Sequence, residues 1–560
     1  MNSNSPIYFG ADSLATACGD RAQTLAALEA GRSGLKQDPA LGMISGRIAS
    51  WEQVDGCTKL ESLLVGAIGD VCRRSGVEPS DPDLLIVLST TKGNIELLEG
   101  AIEAEGNVAA QIPPRAFLPS TARRIQSVLG TAREPVVISN ACISGVSAFV
   151  VGRRAILSGR CSRVIVAGCD TLSRFIATGF DSFKSVSPRP CRPFSEGRDG
   201  LSIGEACGAV LLTKEAGEAL QPAVVLEGGA VSDDANHISG PSRTGDGLFF
   251  AIDSAMRQAG VDAEDIGFVN THGTGTAYND EMESKAVTLA GLQEKPLNSL
   301  KGYFGHTFGA AGVIETIVCA EELRRGRVYG TAGFEALGVP CPINVSAETV
   351  GCGKGRCVKT ASGFGGCNAA LVLALASLGD TPSEEPAVAK MQTIASFTLD
   401  SGDRPFAEFI REEYRALEDQ NMKFFKMSDL AKTAYIATEN LQKGRNLREE
   451  FEPRDIAIIL SNRSASLDDD ALHQRNIDHL GGASPAVFVY TLPNVASGEV
   501  CIRNGFKGDN TFFIEEEPGS MCEDYARYLL ERGHAKAVVH GWCEQLGESC
   551  RAELKLSTTK

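Results

Sequence analysis

Apolar positions in this chain switch repeatedly between helical spacing and continuous runs. From Thr58 to Gly76, Leu60, Leu63, Leu64, Ala67, Ile68 and Val71 recur at helical intervals, and Gly76 supplies a stop. Residues 83–88 are apolar almost throughout, as in a strand buried on both faces, and Ser89-Thr90-Thr91-Lys92-Gly93-Asn94 ends the run. Pro135-Val136-Val137-Ile138 predicts another strand. It leads through Ser139-Asn140-Ala141-Cys142-Ile143-Ser144-Gly145 into a small-residue helix pattern reaching Val151. Strands are predicted again at 164–168 and 208–212, then a helix at 248–258 and a strand at 266–270. That strand stops at Thr271-His272-Gly273-Thr274-Gly275-Thr276. Gly309-Ala310-Ala311-Gly312 opens a helix to about 325, and Ala361-Ser362-Gly363-Phe364-Gly365-Gly366-Cys367-Asn368 is a glycine-dense turn before a strand at 369–376. Strand and helix alternating in this way imply an α/β fold with a largely parallel sheet, built from two similar βα halves at about 1–220 and 221–378.

Beyond Leu378 the pattern breaks and then resumes. Residues 379–395 begin with Gly379-Asp380-Thr381-Pro382-Ser383-Glu384-Glu385-Pro386, polar and rich in breakers, and read as a linker. Residues 396–560 restart the earlier plan. The helix pattern 428–441 and the strand 454–462 repeat the helix at Lys59 and the strand at 83–89, and Lys536-Ala537-Val538-Val539-His540-Gly541 echoes Arg163-Val164-Ile165-Val166-Ala167-Gly168.

Composition narrows the class. A chain of 560 residues is too long for one ordinary core and implies two or three domains. The 17 cysteines form no CxxC pair or regular framework, so they read as reduced thiols. No apolar run approaches the roughly 18 residues of a membrane span, and the start lacks the basic character of a signal peptide, so a cytoplasmic protein is expected. A net charge of −17 excludes general nucleic-acid binding, and any acidic partner must dock on a local basic patch.

Candidate chemistry gathers at the junctions. Cys142 lies where a strand gives way to a helix, where the macrodipole favours a thiolate. Taken alone, such a cysteine reads first as a small buried hydrophobe. His272, Lys301 and His306 also lie at strand-to-loop or strand-to-helix junctions, which collect at one edge of an α/β sheet. One cysteine and two histidines could bind zinc, but the spacing lacks a close ligand pair and the glycine turns suit backbone donation.

Asn140-Ala141-Cys142 with Ser144-Gly145, His272-Gly273-Thr274-Gly275-Thr276, Lys301 five residues before Gly305-His306, and Gly363-Phe364-Gly365-Gly366 together resemble the β-ketoacyl-acyl carrier protein synthases, over roughly residues 6–378. The resemblance implies a thiolase-like fold of αβαβα layers and a decarboxylative Claisen condensation in fatty acid or polyketide biosynthesis, without cofactor or metal. Cys142 then carries the acyl thioester. The N–H groups of Cys142 and Phe364 form the oxyanion hole, and Phe364 is also a gate. His272 and His306 donate to the malonyl thioester carbonyl, and Lys301 pairs with Glu283 to fix the histidine loop. Acyl carrier protein is the implied partner, with Lys184 as a contact and Arg73, Arg74 and Lys59 as weaker ones. Thiolases place a second cysteine near the glycine turn, where Cys367 lies, but Phe364 and the paired histidines fit the synthases. His237 and the four histidines beyond residue 470 receive no role.

The second copy resembles the chain-length-factor-like partial synthases of aryl polyene and related polyketide pathways. Aligning landmarks sets Cys142 against residues 513–517, which end in Glu515-Glu516-Glu517 and hold no nucleophile, and the copy shows no counterpart of His272, Lys301 or Phe364. Because synthases of this family are dimers, residues 396–560 are expected to take the partner's place as an internal pseudo-heterodimer, with Val487, Phe488 and Tyr490 shaping the acyl pocket. The competing expectations are an appendage on an ordinary homodimer and a carrier-binding scaffold without activity.

Overall fold

The computed structural model of the protein describes residues 6–378 and 389–559. Its frame is one large mixed sheet. The strands are β1 (Tyr8–Thr16), β2 (Leu84–Ser89), β3 (Val136–Ile138), β4 (Arg163–Asp170), β5 (Ala206–Thr213), β6 (Val224–Asp233), β7 (Phe268–Asn270), β8 (Leu297–Asn298), β9 (Arg356–Ser362), β10 (Cys367–Leu375), β11 (Met391–Asp400), β12 (Ile456–Asn462), β13 (Asn510–Ile514), β14 (Ala537–Leu546) and β15 (Ser549–Thr559). Their order is 8-7-9-10-6, then 1-5-4-2-3, then 13-12-14-15-11. The same five-strand plan therefore occurs three times. The first two units are the halves of the synthase-like region, and the third is the C-terminal copy.

The helices that matter are α1 (Lys59–Ser75), α2 (Ser144–Leu157), α3 (Arg174–Ser182), α4 (Asp246–Ala259), α5 (Ala277–Leu289), α6 (Ala311–Arg325), α7 (Asp429–Leu441), α8 (Leu467–His479), α9 (Asn494–Asn504) and α10 (Met521–Glu531). The start and stop signals act as expected in α1, where Thr58 and Glu61 form a capping box and Gly76 closes in the left-handed conformation. Helices α2 and α6 are buried against each other. A Cβ on Gly145 would stand 2.6 Å from the Val313 nitrogen, so glycine lets the two backbones touch.

The copy meets the N-terminal region through its strands. β3 pairs antiparallel with β13, Ile138 opposite Phe513 and Val137 opposite Ile514. Two buried ion pairs also cross the boundary, Lys92 to Asp470 at 2.6 Å and Arg154 to Asp509 at 2.7 Å. Hydrophobic residues from α1 and α7 share one core.

Two sequence expectations need correction here, and one is sharpened. β11 begins at Met391, inside the stretch read as a linker to residue 395, while residues 379–388 lie outside the described residues. Phe513 and Ile514 belong to β13, and because Ser461 pairs with Phe513 as Ser89 pairs with Ile138, Cys142 falls against Glu517, within the segment expected. The echo of β4 in β14 is also displaced by one residue. Ser89 pairs with Gly168 and Ser461 with Trp542, which sets Trp542, not Gly541, in the place of Gly168.

That shift changes what the sheet face carries at this point. In the synthase unit α6 rests on Gly168 and Gly208, where an added Cβ would meet Val313 at 2.8 Å and Ile314 at 3.1 Å. The copy carries Trp542 and, opposite it, Glu553 at those positions, with the Lys555–Glu523 ion pair at 2.8 Å on the same region.

Candidate functional site

Cys142 stands on a strained turn. Ala141 has φ of +47°, a left-handed conformation unfavourable for a residue with a Cβ. The Ser144 hydroxyl holds it, accepting from the Asn140 N–H at 2.7 Å and donating to the Ala141 carbonyl at 2.6 Å. The turn aims the thiol at His306, whose Nε2 is 3.0 Å from Sγ. The sulfur also faces the N–H groups of Cys142 and Phe364. Gly363 allows this approach, since a Cβ there would stand 3.2 Å from the Cys142 nitrogen.

The helix-dipole expectation for Cys142 fails. Desolvation pushes its thiol up to about 12, and the Lys301 ammonium only partly opposes that. His306 is held well below its usual value, first by burial and then by Lys301 and Lys359, so the resting pair is thiol and neutral imidazole.

His272 lies edge-on to His306, with ring centroids 5.0 Å apart. Its loop is tied from below. Glu283 accepts from the His272 N–H at 2.8 Å and the Gly273 N–H at 2.6 Å, and Asp280 accepts from the Thr274 N–H at 3.0 Å and the Gly275 N–H at 3.1 Å. Burial raises Glu283 to about 7. Lys301 Nζ is 3.3 Å from His272 Nδ1. Its ion-pair partner is not Glu283 as expected but Glu315 on α6, at 2.8 Å, and Glu315 also holds Lys359 at 2.6 Å. An ammonium donating to Nδ1 leaves Nε2 of His272 as the N–H that faces the site.

Asp170, which sequence reasoning passed over, joins the remaining loops: it accepts from Thr90 Oγ1 at 2.7 Å and the Gly309 N–H at 2.7 Å. Its signal was a lone carboxylate closing the apolar run Val164-Ile165-Val166-Ala167-Gly168-Cys169.

An aromatic cluster runs from the site toward the copy. Phe364 lies 5.5 Å from Phe183 and 6.3 Å from Phe180, and Phe180 lies 5.4 Å from Phe488. A Cβ on Gly179 would meet the Phe488 ring at 2.2 Å, so the ring is seated on bare backbone of α3. His473, given no role from sequence, packs against Phe488 at 5.0 Å and Phe175 at 4.5 Å. The other two pocket candidates fall elsewhere. Val487 is half-buried outside this cluster, and Tyr490 turns away to donate to Glu499 at 2.7 Å. Lys184 is exposed just past the end of α3.

The donor atoms of Cys142, His272 and His306 lie within 4.8 Å of one another, close enough for a metal ion by distance alone. The Lys301 ammonium at 3.3 Å from His272 opposes a cation there, and the two backbone N–H groups at the sulfur suit an anion.

Residues 88–217 match the beta-ketoacyl synthase N-terminal domain family, and residues 223–335 match its C-terminal domain family. A polyketide β-ketoacyl synthase of Streptomyces halstedii is 30% identical over 351 residues, which cover 58% of this chain and 83% of that protein. The chain belongs to the β-ketoacyl synthases. This synthase is accordingly a condensing acyltransferase of the thiolase superfamily. The 3-oxoacyl-[acyl-carrier-protein] synthase 2 of Vibrio cholerae is 29% identical over 326 residues, 53% of this chain and 78% of that one. A ketosynthase solved in complex with its chain length factor from Xenorhabdus doucetiae is 28% identical and superposes with a TM-score of 0.58 over 66% of this chain and 98% of its own. The PfaC ketosynthase-chain length factor shares only 14% identity but has a TM-score of 0.79 over 99% of this chain and 78% of its own, a likeness of fold. No helix among the described residues is long and apolar enough to cross a membrane.

Proposed function

We propose that Cys142, His306, His272 and the Phe364 N–H divide the condensation between them, with the C-terminal copy acting as a built-in partner that bounds the acyl pocket. The observation that carries this reading is the 3.0 Å approach of His306 Nε2 to Cys142 Sγ beside two backbone donors. In the first step the thiol proton moves to His306 as sulfur attacks the acyl thioester. The Cys142 and Phe364 N–H groups hold the oxyanion, and the carrier thiolate leaves and takes a proton from water, so that His306 keeps on Nε2 the proton it took from Cys142. In the second step the malonyl thioester carbonyl accepts from His272 Nε2–H and from His306. Carbon dioxide departs and leaves its electron pair as an enolate, whose carbon attacks the acyl carbonyl on Cys142. The thiolate released takes its proton back from His306. Lys301 fixes the His272 tautomer, and Glu283 fixes the His272 backbone.

In this reading residues 1–378 are the synthase domain, and the copy, starting at Met391, forms an internal pseudo-heterodimer with it. Phe488 closes the aromatic end of the acyl pocket. Acyl carrier protein is the partner, and the exposed Lys184 is a cation placed to meet an acidic carrier. The test is transfer from an acyl-carrier protein to the chain, read as an added acyl mass on the Cys142 peptide, followed by condensation with malonyl-carrier protein. Wild type acquires the mass and condenses; a Cys142→Ala variant that still condensed would overturn the mechanism.

A further inference from the structure

The turn that carries Phe364 does not rest on its own domain alone. Asn494, the first residue of α9 in the copy, donates from Nδ2 to the Phe364 carbonyl at 2.8 Å and lies 3.4 Å from Cys367 Sγ. Its Oδ1 is buried without a hydrogen-bond partner. An interface residue chosen for packing would not bury an amide that leaves its acceptor unpaired, because that costs stability. The contact made by the donor is therefore the feature to explain.

Four residues on, the same face of α9 presents Gly498, where an added Cβ would stand 2.4 Å from the Gly365 carbonyl oxygen. Gly365 itself, at φ +92°, has its Cβ position filled by Asn494 Nδ2 at 2.6 Å. The helix thus lies directly on the backbone of the gate turn. The nucleophile turn is gripped by the same copy, since Asn140 Nδ2 donates to the Asn510 carbonyl at 2.7 Å and Asn140 Oδ1 accepts from the Phe512 N–H at 2.8 Å. The two backbone segments that supply the N–H groups at Cys142 Sγ are each anchored by the copy.

We infer that Asn494 is a positioning residue of the condensing site, supplied by the catalytically silent copy, which holds the Phe364 turn so that its N–H faces the reacting sulfur. This rests on the proposed role of that N–H in the oxyanion hole. When the Asn494 bond is made, the hole is formed and the gate is shut. When the bond is broken, the turn is released, Cys142 is more open, and the hole is lost. Acyl transfer and simple access to the thiol should then change in opposite directions, which general destabilisation would not produce.

The experiment compares wild type with Asn494→Ala and with Asn494→Asp, which keeps the shape and removes the donor. It measures acylation of Cys142 by acyl-carrier protein and alkylation of Cys142 by iodoacetamide, with melting temperature as a control. The expected result for both variants is an acylation rate lower by about tenfold or more, a faster alkylation, and an unchanged melting temperature. Gly498→Ala, which pushes on Gly365 without touching the amide, should shift the two rates in the same senses and serves if an Asn494 variant does not fold. Acylation and alkylation both matching wild type, or both falling together, would overturn the inference. If wild type accepts no acyl group, the proposed function fails instead, and the alkylation rates still decide whether Asn494 holds the turn.

Discussion

Lys301 and Glu315 form an ion pair with no solvent around it: the two side chains meet at 2.8 Å, 0% and 1% exposed, and Glu315 is shared with the equally buried Lys359. One carboxylate thus compensates two ammonium groups directly behind the histidines. Glu315→Ala leaves both cations without their counter-charge, and removal of one partner from a buried pair costs about 3–5 kcal/mol. Urea unfolding should show a loss of that size; a loss below about 1 kcal/mol would mean that the pair behaves as a surface one.

Cys142 and His306 rest as a neutral pair, and this has a pH signature. With the thiol pushed up to about 12, the reactive thiolate is a small fraction at neutral pH. Iodoacetamide alkylation of Cys142 should climb about tenfold per pH unit from pH 7 to 10 with no plateau. A plateau reached below pH 8 would instead indicate a preformed thiolate beside an imidazolium.

His272 touches no atom of Cys142 in the acylation step proposed above, so His272→Ala should separate the two half-reactions. Acyl mass on Cys142 should appear at close to the wild-type rate, while condensation with malonyl-carrier protein falls roughly 10²–10³-fold. Equal losses in both steps, measured by mass spectrometry and product formation, would contradict the assignment.

Phe488 is seated on Gly179 and faces Phe180, so shortening it opens the far end of the aromatic cluster. Phe488→Leu should lengthen the product chains, with a smaller stability cost than Phe488→Ala, for which about 3–5 kcal/mol is expected. An unchanged product distribution from a folded variant would remove the residue from the pocket.

The thiol–imidazole cluster should work without metal. Prolonged treatment with a chelator is expected to leave Cys142 acylation unchanged, and one equivalent of tightly bound zinc in the purified protein would overturn the condensing role of the cluster.

Much of this site could be read in the sequence because its members sit in short local motifs. Cys142, His272, His306 and Phe364 each adjoin glycines or small residues that a close backbone approach requires, and the structure brings all four together. Supports that act through space were not legible. Glu315 leaves a trace, a single carboxylate inside Gly312-Val313-Ile314-Glu315-Thr316-Ile317-Val318, but nothing local says which lysines it meets. The sign of the Cys142 shift was misread because the helix dipole is visible in sequence and desolvation is not. The one-residue slip at Gly541 arose in a run buried for several residues, where no inside-outside alternation fixes register. β11 escaped notice because its Gln392, Thr393 and Ile394 are exposed along an outer strand and lack an apolar stripe.

The β3–β13 pairing joins the synthase unit to its C-terminal copy within a single covalent chain. Two separate subunits would part on dilution and could exchange with other copies, so that activity would depend on concentration and on the supply of each. Here the two halves are present in strict one-to-one ratio, at an effective concentration set by the tether instead of by expression level. Specific activity should therefore be independent of enzyme concentration, and a damaged copy cannot be rescued by mixing in a healthy one.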